Sequence, residues 1–199
     1  MTPAAPGARA FLRDATRPLH DRVEAAVDLG ARTRSAADYR ALVAAFYGLH
    51  APLEERLAAL PWDEAGLDFG ARRKAPLLRA DLRALGLDPD AVPRCPDLPD
   101  AGTVAAGFGC LYVLEGSTLG GQLIARDVEA TLGLDAGSGA AFFRSYGADV
   151  GPMWRSFTRA LDAYVRTGAR REEAFAAATA TFETFERWIG QPAPTAPPR

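Results

Sequence analysis

The chain has 199 residues, of which 48% are hydrophobic and 24% charged, and a formal net charge of −2. That length can bury one core without staples, and the near-neutral balance excludes a general affinity for nucleic acid or anionic membranes. The two cysteines, Cys95 and Cys110, lack metal-ligand spacing and predict free thiols in a reducing compartment. No apolar run approaches the ~18 residues of a spanning helix, and the N-terminus lacks the basic-then-apolar order of a signal peptide. A cytoplasmic location is expected.

In chain order, residues 1–9 predict a flexible N-terminus, followed by one helical domain over 10–190. Leu19, Val23, Ala26 and Val27 have the spacing of a buried helix face. A second helix opens at Ser35, a plausible N-cap, and runs through Tyr39, Leu42, Val43, Phe46, Tyr47 and Leu49. Pro52 should bend it or split it. A third helix covers about 71–85 and stops at Gly86. The loop Leu87–Gly102 holds four prolines. A fourth helical stretch spans about 103–132, a fifth starts near Pro152 and runs to Thr167, and the last spans about 170–189. Residues 191–199 predict a flexible Pro-rich tail. Alternating β-branched runs are absent, so the expected architecture is all-α, a single domain of six to eight helices.

Two constellations carry chemistry. Arg13, Arg17, His20 and Glu24 are spaced by four, three and four and fall on a stripe roughly 60° wide. A neutral imidazole can ligate a heme iron, and Glu24, one turn on, can accept its other N–H. The two guanidinium groups suit propionate carboxylates. The alternative is a solvated charged face with a surface histidine. Pro18 must sit in a first turn or kink the helix. The second histidine, His50, lies among apolar residues and reads as a packing histidine.

The segment from Gly107 to Gln122 carries five glycines in an apolar helical pattern. Each costs about 1 kcal/mol against alanine in a helix interior, so a compensating reason is required. Gly109, Gly116 and Gly120 share one face, which would let a flat group lie on the backbone. Close helix–helix packing is the other reading. Gly120 and Gly121 together also allow a kink.

The run from Arg13 to Glu24 resembles the proximal-helix motif of heme oxygenases, and Leu114-Glu-Gly-Ser-Thr-Leu-Gly-Gly-Gln122 resembles their distal-helix motif. The resemblance is strongest to bacterial, biliverdin-producing members, including those that supply bacteriophytochromes. It implies a fold in which heme lies sandwiched between the two helices. It makes His20 the iron ligand and Glu24 its partner, places Arg13 and Arg17 at the propionates, and puts Gly116, Gly120 and Gly121 at the distal face. Arg155, in Met153-Trp154-Arg155, matches a basic propionate-contacting position, and Phe175 an aromatic one. Ser117 stands where mammalian-type members have an aspartate that organises distal water.

By the same resemblance heme is cofactor and substrate, O₂ is co-substrate, and the products are biliverdin, carbon monoxide and iron. Electrons come from a separate donor such as a ferredoxin or reductase, since the sequence shows no flavin or dinucleotide fingerprint. The rival expectation is a heme-binding or heme-transfer protein of the same fold that leaves the ring intact. A di-iron helical relative would want several Glu and His facing inward, which two histidines hardly supply.

Overall fold

A computed structural model describes residues 7–190. Among the described residues there are eight α-helices and no strand: α1 (Ala8–Val27), α2 (Leu29–Arg32), α3 (Ala36–Ala58), α4 (Ala75–Ala84), α5 (Val104–Leu132), α6 (Ala141–Arg144), α7 (Val150–Tyr164) and α8 (Gly168–Ile189). The all-α expectation holds. The expected loose start at 1–9 is corrected at its end, because Ala8 and Arg9 are already helical. Their helix is pinned by Asp162 of α7, whose carboxylate accepts the Arg9 N–H at 2.9 Å. Residues 1–6 and the expected tail at 191–199 lie outside the described residues.

Local chemistry explains most helix starts. Ser35 caps α3 by accepting from the Asp38 N–H at 3.1 Å, and Thr103 and Thr167 cap α5 and α8 in the same way. The expected helix at 71–85 is shorter, with a 3₁₀ turn at Gly70–Arg72 and α4 beginning only at Ala75. Pro76 is the reason: it has no N–H to donate and is tolerated only in a first turn. The freed amides of Lys74 and Ala75 are taken by the buried Glu54 carboxylate at 2.8 and 3.1 Å. Pro18 and Pro52 each lie inside a continuous helix, so α3 is not split.

The core is centred on α5 and α8, which pack along each other, with α6 and α7 also against α5, and α3 with α4 on another side. His50 is fully buried, with Nδ1 3.3 Å from Glu54 Oε1 and its ring against Phe46, Phe142 and Phe185. It is a packing histidine, as the sequence suggests. Of the face expected on the first helix, Val27 is buried, Leu19 and Val23 are half-buried, and Ala26 is exposed. The buried side of α1 is instead Ala8, Leu12, Thr16 and Val27. Much of α1 is therefore left open along the stretch that carries His20.

Candidate functional site

Helix α8 is the floor on which α1 and α5 both stand. Phe11 pairs with Phe175 at 5.9 Å between ring centroids, His20 with Phe182 at 6.0 Å, and Arg22 with Glu186 further along. Contacts rising together in both helices mean that α1 and α8 run the same way. On α5, Gly109 lies so close to α8 that a Cβ there would collide with the Ala174 carbonyl. Tyr112 of α5 approaches Thr16 of α1 and feels the charge of Arg13; burial pushes its phenol pKa up. One helical turn beyond that approach stand His20 on α1 and Gly116 on α5.

The faces beyond the approach are open. A Cβ on Gly116 would meet nothing nearer than Trp154 at 4.0 Å, and one on Gly120 nothing within 4 Å. Leu119 and Leu123, which share that face at helical spacing, are 45% and 63% exposed, the only large hydrophobics so exposed among the described residues. A bare backbone stripe flanked by two uncovered leucines is a cradle for a flat apolar group.

On α1, the His20 side chain is 56% exposed, and its Nδ1 faces Glu24 Oε1 at 3.7 Å. Asp21 joins them: one ligand atom from each of the three lies within 4.8 Å of the others. The donor set of one imidazole with adjacent carboxylates suits iron held through the nitrogen turned away from Glu24. The residues thus fit a heme on two independent grounds, the cradle on α5 and the histidine on α1.

The glycines divide. Gly109 serves helix packing, and so does Gly121, which was expected at the distal face. A Cβ on Gly121 would lie 2.8 Å from the Phe143 carbonyl oxygen, because at this position α5 turns its side toward α6. Phe175 likewise sits against Phe11 rather than against His20, whose aromatic neighbour is Phe182. Arg13 pairs with the neighbouring Asp14 at 2.9 Å, Arg17 is exposed and acts on the same Asp14 through its charge, and Arg155 lies exposed along α7 over Gly151. Ser117 is exposed, but its hydroxyl donates to the Leu114 carbonyl at 2.7 Å, and Thr118 does the same to Glu115. Such back-bonding favours local bending of a helix and leaves Ser117 Oγ as an acceptor only.

The structure also brings Asp21 and Phe182 beside His20, and Trp154, Leu119 and Leu123 beside the open glycine face, none of which the sequence reading singled out for the site. For the leucines a signal existed, since positions 116, 119, 120 and 123 repeat as one helix face. For Trp154 and Phe182 no local signal existed, because they belong to other helices. Two surface hollows of about 460 and 400 Å³ include no residue of α1 or of the glycine segment.

Comparison with known proteins gives one consistent picture. Residues 8–191 match the family model described as heme oxygenase. The chain is 37% identical over 149 residues to a heme oxygenase of Xanthomonas campestris pv. campestris, covering 74% of this chain and 86% of that protein. Its fold is similar to that of Neisseria meningitidis heme oxygenase, solved with NO and CO bound. The TM-score is 0.82 at 22% identity, over 96% of this chain and 98% of that one. It is also similar to Leptospira interrogans heme oxygenase, with a TM-score of 0.75 at 18% identity over 93% of this chain and 99% of that one. Chlamydomonas reinhardtii heme oxygenase 2, solved without heme, gives 0.75 at 18% over 96% and 100%.

Proposed function

Because this chain belongs to the heme oxygenase family, and is accordingly an oxidoreductase acting on heme, we propose that it opens the heme ring with O₂ to give biliverdin, carbon monoxide and iron. The observation that supports this reading most directly is the uncovered face of α5 at Gly116 and Gly120, one turn beyond the point where α1 and α5 meet. Bound heme supplies the redox chemistry of its iron and the ring carbon that is oxidised.

The protein supplies position. His20 Nδ1 faces Glu24 Oε1 at 3.7 Å, so Nε2 is the nitrogen that would hold the iron. Gly116 and Gly120 let the ring face approach the helix backbone, and Leu119 and Leu123 are covered when it does. The close backbone at Gly116 and Gly120 would orient a bound heme, and that orientation is the protein's contribution to the oxygen chemistry the heme would supply. Ser117 Oγ, its own proton directed to the Leu114 carbonyl, would serve a distal water network only as an acceptor. Trp154 closes the site beside Gly116, and Arg13, Arg17 and Arg155 hold the propionates. Electrons come from a separate ferredoxin or reductase. A bacteriophytochrome receiving the biliverdin is one client consistent with this reading.

The test is direct. Purified protein with one equivalent of hemin should show a histidine-ligated ferric spectrum. Ascorbate in air should then replace the Soret band with biliverdin absorption. A stable Soret band under those conditions, with heme bound, favours the heme-transfer alternative.

A further inference from the structure

The residue immediately before Gly116 is a buried acid that the resemblance assigns no role. Glu115 is 2% exposed. Its Oε2 accepts from Arg72 Nη1 at 2.8 Å, and its Oε1 accepts from the Tyr146 hydroxyl at 2.6 Å. Lys74 Nζ stands 3.7 Å from the same Oε1, 3.5 Å above the Tyr146 ring. Arg72 carries the connection onward, donating to the Met153 carbonyl at 3.3 Å and to Ser156 Oγ at 2.7 Å. One carboxylate therefore ties α5 to the segment ahead of α4, to the turn before α7, and to α7 itself, on either side of Trp154.

A second anchor lies two turns on. Gln122 Nε2 donates to the Arg144 carbonyl at 2.6 Å, and Arg144 pairs with Glu129. Gly121 leaves no room for a side chain, since a Cβ there would lie 2.8 Å from the Phe143 carbonyl oxygen. The two anchors bracket Gly116 and Gly120 along α5 and leave the open face free. Burying charged groups is a poor way to gain stability, since desolvation offsets most of the attraction. Fixing a helix in one rotation and height is a use that an apolar contact, which slides, serves less well.

We propose that Glu115 is a positioning residue: held by Arg72 and Tyr146, it sets the height and rotation of α5 at Gly116 and Gly120, and through them which edge of the ring is oxidised. This rests on the reading of the site given above. Nothing in it requires Glu115 to touch the substrate.

The test uses Tyr146→Phe, which removes one hydroxyl and keeps the ring over Lys74, together with Glu115→Gln. Amide hydrogen exchange of the protein without heme should quicken by about tenfold over residues 114–122, the loss expected for a hydrogen bond to a charged group. Exchange in α8 should not change. Hemin affinity should stay within about twofold, while single-turnover ring opening slows by about threefold or more and the biliverdin isomer ratio shifts. Leu53→Val, a core change on α3, should lower the melting temperature without moving exchange at 114–122 or the isomer ratio. The proposal is overturned if Tyr146→Phe melts lower but keeps wild-type exchange at 114–122 and the wild-type isomer ratio. If the unmodified protein opens no ring, the proposed function fails, and the exchange experiment still decides whether Glu115 fixes α5. Should Glu115→Gln not fold, Tyr146→Phe alone decides.

Discussion

His20 Nδ1 lies 3.7 Å from Glu24 Oε1, one turn along α1, so the carboxylate faces one ring nitrogen and leaves the other for a ligand. The distance is longer than a hydrogen bond, and both side chains are more than half exposed. His20→Ala should lose turnover and the histidine-ligated ferric spectrum. His50→Ala should keep both while destabilising the fold by about 1–3 kcal/mol, because it opens a gap among three phenylalanine rings. Absorption spectra with hemin and thermal melts of both variants check this. An unchanged spectrum in His20→Ala, without added imidazole, refutes the assignment.

The glycines make opposite predictions at neighbouring positions. Gly120→Ala meets nothing within 4 Å, so the protein without heme should be stabilised by about 0.5–1 kcal/mol, the ordinary helix preference for alanine. Gly116→Ala should behave similarly. Both variants should still bind heme through His20 yet make less biliverdin, since the added methyl holds the ring away from the backbone. Gly109→Ala and Gly121→Ala push on the Ala174 and Phe143 carbonyls and should destabilise by about 1–3 kcal/mol. Denaturation midpoints and single-turnover product yields separate the two classes. Wild-type biliverdin yield in both Gly116→Ala and Gly120→Ala would mean that the open face is not where the reaction is steered.

The three arginines should not contribute equally. Arg13 is held by Asp14 in a close pair at 2.9 Å, whereas Arg17 is exposed and acts on Asp14 through its charge, with no close ion pair among the described residues. Arg17→Ala should therefore weaken heme more than Arg13→Ala, each by about 1 kcal/mol or less as expected for exposed charge pairs. The triple variant with Arg155→Ala should change the biliverdin isomer ratio by letting the ring rotate in its plane. Hemin titration and isomer chromatography are the measurements, and a wild-type ratio in the triple variant rules the propionate role out.

Lys74 gives a prediction in pH. Burial pushes its ammonium pKa down to about 8, against the pull of Glu115 and Glu54. Between that value and the ordinary lysine value of about 10.4, the unfolded chain binds the proton more tightly than the folded one. Stability contributed by this group therefore rises with pH through that window, while below it the cost of the buried charge is full and constant. Burial also holds the Cys110 thiol up at about 11 and raises the Tyr39 and Tyr146 phenols, which acts the other way as pH rises. The difference between wild type and Lys74→Met removes the shared contributions. Urea denaturation at pH 7, 8, 9 and 10 should show wild type gaining on the variant from about pH 8 to 10. A flat difference across that range would place the ammonium in a better solvated setting than its burial indicates.

The sequence by itself determined what lies within one helix. The spacing of His20 and Glu24 sets their approach because helix geometry fixes positions four apart. Ser35 is legible as a cap because its partner, the Asp38 amide, is three residues away. The cost of the glycines between Gly107 and Gly121 is also local, and so announces that something must approach the helix. What approaches was decided only by the tertiary structure. A Cβ on Gly109 or Gly121 would meet the backbone of α8 or α6, while one on Gly116 would only just touch Trp154 and one on Gly120 would meet nothing within 4 Å, a division that depends on where the neighbouring helices lie. The same holds for Phe182 rather than Phe175 beside His20. Glu115 finds Arg72 and Tyr146 at sequence separations of 43 and 31 residues, and no periodicity reaches that far. Pairings of that kind arise when the whole chain packs, because the free energy that selects them is the burial of every helix at once.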